Sequence, residues 1–275
     1  MAVRTNRKEK EMPKGEVPKS NRSRTEEQIS LLNEVRRYFA VQNVRKAQAN
    51  QIRAMVADDL IPPEQAAEWI ASMVKPLISE ENRMARKTAK RLKGMPIWEG
   101  WLRHVRGVDV KLGAQLIAHI QPIGDFDNVA KLWAYAGLSV IDGKAQRRMK
   151  GQKSNWNPEL KTICFNFGAS IEKVGGPYRD LYDRYGARDL AVHPEPIEVK
   201  RKDGSTYKDY SKGHMRNRRL RYAEKIFLSH LWQAWREMEG LPVRGPYAIE
   251  YLGHTTILSP WAFIETNPPE DVEVA

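Results

Sequence analysis

Apolar positions recur at helical spacing along most of the chain. In the stretch "TEEQISLL" and beyond, Ile29, Leu32, Val35 and Phe39 fall three or four residues apart, and Ile52, Met55 and Val56 continue the stripe. This predicts a helix from Thr25 to about Asp58, with Thr25 and Gln28 placed for a capping box. "DDLIPPEQ" breaks the pattern, and Pro63 suits the first turn of a second helix, where its missing N–H costs nothing. That helix sets Ala66, Ile70, Met73, Val74 and Leu77 on one side, bends at Pro76, and runs into a basic stretch from Arg83 to Gly94. The pair predicts an antiparallel helical hairpin, coiled-coil-like, over residues 25–93.

From Met95 the texture changes to short helices separated by glycine turns: Pro96 to Val105, Val110 to Ile120, and Asp127 to Ala136. Asp127 is the expected cap of the third, and Gly137 ends it. "SVIDGKAQRRMKGQKSNWNP" has no helical period. Asn157 then caps a helix with Pro158 at its first position, whose face is Leu160, Ile163, Cys164, Phe167 and Ile171. "GGPYRDLYDRYGARDL" adds a short amphipathic helix. "PIEVKRKDGSTYKDY" reads as two strands around a turn at Lys202-Asp203-Gly204-Ser205, a small basic β-hairpin inserted in a helical domain. A last long helix is expected from His214 to Glu239, ended by Gly240, and the Pro-rich tail after Gly245 is expected to pack over the surface.

The fold class is therefore mainly α: an N-terminal helical hairpin followed by a helical domain that contains a helix-hairpin-helix and a small inserted β-hairpin. Four parts are expected: a disordered basic tail over 1–24, whose polar residues cannot bury enough apolar surface to offset ordering; the hairpin over 25–93; a DNA-binding domain over 94–245; and a tail over 246–275.

Charge sharpens this picture. The 275 residues carry a formal net charge of +12 with 41% hydrophobic residues, a combination that favours a folded partner of polyanions, nucleic acid first among them. No apolar run approaches the roughly 18 residues of a membrane span, and no secretory or lipidation signal is present, so no membrane association is expected. A single cysteine, Cys164, lies in an apolar helix face and excludes a disulfide framework. The expected compartment is the cytoplasm, in association with the nucleoid.

Three places carry candidate phosphate chemistry. "VRGVDVKLGAQLIAHI" (Val105 to Ile120) reads as a glycine turn between two helices. In a helix-hairpin-helix, Arg106, Gly107 and Val108 bring backbone N–H groups to a phosphate, Lys111 adds charge, and Gly113 and Ala114 allow close crossing; the plain alternative is a helical corner with a glycine cap. Asp109 departs from such turns by placing a carboxylate there. The second place is the basic loop with Lys144, Arg147, Arg148, Lys150 and Lys153, which ends in Trp156 as a stacking platform. The third is the start of the last helix, Arg216, Arg218, Arg219 and Arg221, where cations oppose the macrodipole. For both, a solvated surface is the alternative. No histidine group has metal-ligand spacing, no nucleotide or hydrolase motif is present, and no metal or cofactor is expected.

The run "GVDVKLGAQLIAHIQPIGDFDNVAKLWAYAGL", the basic loop, and "NPELKTICFNFGASI" together resemble the C-terminal transposase domain of the insertion-sequence 110/116/902 family and the Piv-type DNA invertases. In that family a glycine hairpin precedes an acidic-aromatic turn, a helix ending in "yAGL", a basic segment and another helix. Gly107 to Ile120, Gly124-Asp125-Phe126, Leu132 to Leu138 and Lys144 to Lys153 hold those places, and the match spans Trp98 to Leu190. The resemblance implies a DNA-binding protein of transposition or recombination. Two departures stand out. A tail and two helices begin this chain where the family has an RuvC-like domain with acidic metal ligands. The family's nucleophilic serine follows "AGL" in a Ser-Gly step, here Asp142-Gly143, which leaves Ser139 as the nearest hydroxyl. The expected partner is double-stranded DNA. RNA, a catalytic partner in trans, and self-association through residues 25–93 into a dimer or larger oligomer are the other expectations.

Overall fold

The computed structural model describes residues 24–141, 144–200, 204–243 and 258–265. The protein is mainly α-helical with small antiparallel β-hairpins, as the spacing predicts. Helix α1 (Glu26–Ala57) starts with the predicted capping box: Gln28 N donates to the Thr25 hydroxyl at 3.3 Å and Thr25 N to the Gln28 side chain at 3.1 Å. Its buried apolar residues are Leu31, Leu32, Val35, Tyr38, Ala49 and Ile52, whereas Ile29, expected on the stripe, is 46% exposed. The reason is that α1 packs on two neighbours, the third and fifth helices, so its apolar residues spread over two faces instead of one stripe. Arg24, placed in the disordered tail on composition, instead donates to the carbonyls of Gln121 and His119, both at 3.1 Å. Carbonyls at a helix C-terminus lack intrahelical donors, and a guanidinium satisfies them.

The return arm of the hairpin is α2 (Pro63–Trp69), a π-helical turn (Ile70–Val74) and α3 (Lys75–Leu92). Pro76 has no N–H for the carbonyl four residues back, and the ladder widens in the turn before it. The wider turn rotates the face. Ala66 and Val74 are buried as expected, but Ile70 and Met73 are 36% and 48% exposed.

In the body, the helix expected over Pro96 to Val105 is broken into α4 (Pro96–Gly100) and a 3-10 turn (Leu102–His104). The break seats Trp101 in the core, fully buried, with its indole N–H donating to Pro260 O at 3.0 Å. Helix α5 (Val110–Ile120) is buried from Leu112 to Ile120, and Gly113 lets the Trp98 ring lie where a Cβ would come within 2.3 Å of it. Helix α6 (Val129–Tyr135) is capped by Asn128, whose side chain accepts from Lys131 N at 3.0 Å. Asp127, the expected cap, pairs with the Lys131 ammonium instead. Strands β1 (Val140–Ile141) and β2 (Lys144–Ala145) form a short hairpin in the stretch read as non-helical.

Helices α7 (Pro158–Val174), α8 (Pro177–Val192) and α9 (Lys212–Met238) complete the body. Asn157 caps α7 as expected, and Ser211 caps α9 slightly upstream of the predicted start. Strands β3 (Ile197–Lys200) and β4 (Thr206–Asp209) pair antiparallel, with Val199 opposite Tyr207; Lys202 and Asp203 of their predicted turn lie outside the described residues.

An aromatic stack of Trp101, Phe227, Phe167 and Tyr178 crosses the core, with Phe167 and Phe227 rings 3.8 Å apart. Phe263 from the C-terminal segment covers Tyr178 and His230, so the described part of that segment does pack on the body. Leu31, Leu32 and Val35 of α1 join this core, while Ala49, Ile52, Ala66 and Val74 form a separate small cluster farther out on the hairpin.

Candidate nucleic-acid interface

The glycine turn before α5 faces inward. Gly107 has φ +92° and sits on α7, where a Cβ would lie 3.2 Å from both the Ser170 hydroxyl and Val174. The Ser170 hydroxyl donates to Gly107 O at 2.8 Å, and Val108 is 8% exposed. Asp109 caps α5, its carboxylate accepting from Leu112 N at 2.8 Å. A carboxylate thus occupies the position at the helix N-terminus where a phosphate would sit. Arg106 pairs with Glu265 at 3.5 Å. Lys111 leans over the Tyr38 ring at 5.6 Å, and its hydrogen bond to the phenol raises its pKa. The geometry of this corner is that of a packed helical turn.

Two of the four arginines at the start of α9 are paired from within. Arg216 pairs with Glu172 of α7, and Arg218 makes a bidentate pair with Asp189 of α8 at 2.8 and 2.7 Å. These pairs hold Glu172 below its ordinary range against the opposing effect of burial, and Asp189 below its range mainly through the Arg218 hydrogen bond. Arg219 lies against Gly186, where a Cβ would come within 2.4 Å of its Nε. Of the arginines that oppose the macrodipole, Arg216 and Arg218 are offset by carboxylates on α7 and α8 and Arg219 packs on α8, which leaves Arg221 without an ion pair among the described residues.

The basic loop is open. Arg147, Arg148, Lys150 and Lys153 are exposed and close no ion pair among the described residues. Lys144 pairs with Ile141 across β1–β2, and its side chain lies outside the described residues. Trp156 is half-buried. Its ring rests on Gly137, at φ +69°, where a Cβ would come within 2.5 Å, and its indole N–H is buried without a partner. The ring is a wall of the loop and not an exposed platform.

The structure joins this loop to residues that sequence reasoning passed over. Lys161 of α7 donates to Gln146 O at 2.7 Å and lies 4.9 Å from the Trp156 ring centroid. Lys225 of α9 lies 4.1 Å from the Trp133 ring centroid, and the Trp133 indole N–H donates to Lys225 O at 3.0 Å. Between them Arg221 is half-buried and close enough to feel Arg147, Lys161 and Lys225. Burial first, and the neighbouring cations second, push the pKa values of Lys161, Arg221 and Lys225 down. Glu224 is the carboxyl of this shelf. It is 5% exposed, and burial raises it to about 7 although Arg221 and Lys161 pull it down. Lys161 and Lys225 sit inside helices that were read for their apolar faces. The available signal was the spacing of Arg221, Glu224 and Lys225, three charges on one side of a helix that must be covered by α7.

Ser139 is half-buried between Leu138 and β1. Among the described residues no histidine or carboxylate hydrogen-bonds to it, so the side-chain base that activates a serine nucleophile is not in place. No group of three metal-binding side chains occurs among the described residues, and no described helix is long and apolar enough to cross a membrane. Set against known proteins, the chain matches no family model and no curated protein.

Proposed function

We propose that the chain binds DNA through backbone phosphates on the shelf formed by Arg147, Lys161, Arg221 and Lys225, in the transposition or recombination context that the sequence resemblance implies. One observation carries this reading. Lys161 and Arg221 flank a single buried carboxyl, Glu224, with Arg147 and Lys225 close to Arg221, and among the described residues none of these four cations closes an ion pair, whereas Arg216 and Arg218 nearby each do. Desolvated like charges repel, and a phosphate relieves that repulsion. Arg148, Lys150 and Lys153 extend the track outward along the loop. Phosphate contacts fix register without reading sequence, so the shelf sets affinity more than target choice.

Duplex binding measured across a salt series tests this. The wild type has a steep slope of log affinity against log salt, and a Lys161→Gln, Arg221→Gln, Lys225→Gln variant flattens it by about 0.9 per phosphate contact removed. A variant with Arg216→Ala keeps the slope, because its charge is already paired. No binding at low salt, or a slope untouched by the triple change, overturns the reading. Competition by RNA in the same assay decides which nucleic acid is preferred.

A further inference from the structure

Glu224 is an unusual component for a phosphate site, and its surroundings define what it does there. Its carboxyl lies on the α7 side of α9, where a Cβ on Gly168 would come within 3.0 Å of Oε1, so the glycine lets it pack closely on α7. Lys161 and the buried Cys164 face it from α7 and Arg221 from α9 itself; Lys225, Arg218, Arg147 of the loop and Tyr185 of α8 lie around Arg221. Among the described residues no donor closes a hydrogen bond to the carboxyl, so its charge is balanced only through space.

We propose that Glu224 is the built-in counter-charge of the shelf and takes up a proton from solvent when a DNA phosphate docks on Arg221 and Lys161, so that DNA binding is proton-linked. This rests on the binding reading above. The ionised carboxylate and an incoming phosphate compete for the same cations. A phosphate docked on the cations that face the carboxylate repels it, and the one that can be neutralised is the carboxyl, since a phosphodiester stays ionised throughout the neutral range. The carboxyl stands at about 7 without ligand, so near neutrality it is divided between its two forms and a nearby negative charge shifts it readily. Each shelf whose carboxyl is ionised before docking takes up one proton, which converts carboxylate to carboxylic acid. Affinity therefore falls as pH rises through and above 7, by up to about tenfold per pH unit, until the bound form also ionises.

The experiment is binding of a short duplex to the full chain at pH 6, 7 and 8 and fixed salt, for the wild type and for Glu224→Gln, which mimics the neutral acid in the same volume. Titration calorimetry in two buffers of different ionisation enthalpy reads proton uptake directly. The wild type weakens by about tenfold from pH 6 to pH 8 and takes up protons on binding. Glu224→Gln removes that component and binds at pH 8 as the wild type does at pH 6. His193 and His214 are kept in both proteins, so they cancel in the comparison. Glu224→Met, apolar and of similar length, behaves as Glu224→Gln if charge is what matters. Binding with identical pH profiles in wild type and variants overturns the proton linkage and leaves the binding reading intact; absence of binding at every pH overturns the binding reading and the linkage with it.

Discussion

Replacing Glu224 by Gln changes stability in a way that depends on pH, and the size follows from two buried groups. Glu224 stands at about 7 against an ordinary 4.5. Its value is raised, so its contribution to stability is complete below pH 4.5 and is lost as pH rises through 7. Each pH unit between the two values is worth about 1.4 kcal/mol, so the full loss is about 3 kcal/mol. His230 is the mirror case. Buried beside Phe263, with Tyr178 Oη 2.8 Å from its Nδ1, it is pushed by desolvation from 6.5 to about 4. Its contribution is complete above pH 6.5 and is lost as pH falls through 4, again by about 3 kcal/mol. Between pH 4.5 and 6.5 the two trends oppose and nearly cancel, so in the wild type neither is visible alone. Urea unfolding of wild type and Glu224→Gln at intervals from pH 4.5 to pH 8 separates them. The stability difference between the two proteins moves by about 3 kcal/mol in favour of the variant as pH rises, while the variant by itself loses stability on acidification below pH 6.5. A difference that stays constant with pH refutes the argument, because it means the carboxyl is not held out of water in the folded state.

Three other changes have expected outcomes. Gly137→Ala forces a side chain onto a backbone at φ +69° and into the Trp156 ring; a loss of about 2 kcal/mol or more and a shift in tryptophan emission are expected in thermal unfolding followed by fluorescence. Asp189→Asn leaves the Arg218 guanidinium without its bidentate partner and costs about 2 kcal/mol in denaturant titration, yet leaves the salt slope of the proposed DNA binding unchanged. Gly113→Ala drives a methyl into Trp98 and costs about 1–3 kcal/mol by overpacking, visible as a lower melting temperature with far-UV circular dichroism of the native state retained.

Local rules placed most of the helices. Thr25, Asn157, Pro63 and Pro158 act through neighbours within a turn, and the chain at those points behaves as its own sequence dictates. The departures all come from distant partners. Trp101 breaks a helix to reach Pro260, Asn128 displaces Asp127 as cap once Lys131 claims the aspartate, and Ile29 is left outside because α1 serves two neighbours. The candidate site divides in the same way. The open loop was legible because a run of cations without acids needs no partner to be noticed. The Arg216 to Arg219 cluster misled because its counter-charges, Glu172 and Asp189, lie on other helices. Lys161 gives no signal of its own, and the spacing of Glu224 and Lys225 takes its meaning only from the packing of α7 on α9, which no window of sequence contains.

Helix α1 belongs to two cores, and this makes it a lever. A continuous helix of this length extends roughly 48 Å. Its first turns are clamped in the body beside α5, while its far half is held to the return arm by the Arg45–Glu81 ion pair and, toward the tip, by a small cluster around Ala49, Ile52, Ala66 and Val74. A load applied near Leu60 therefore meets a soft joint at the tip and a stiff bearing at the base. The tip yields first, and amide protons there exchange with solvent long before those of α5. What force remains arrives at the body as torque on the helix that Arg24 ties to the carbonyls of His119 and Gln121.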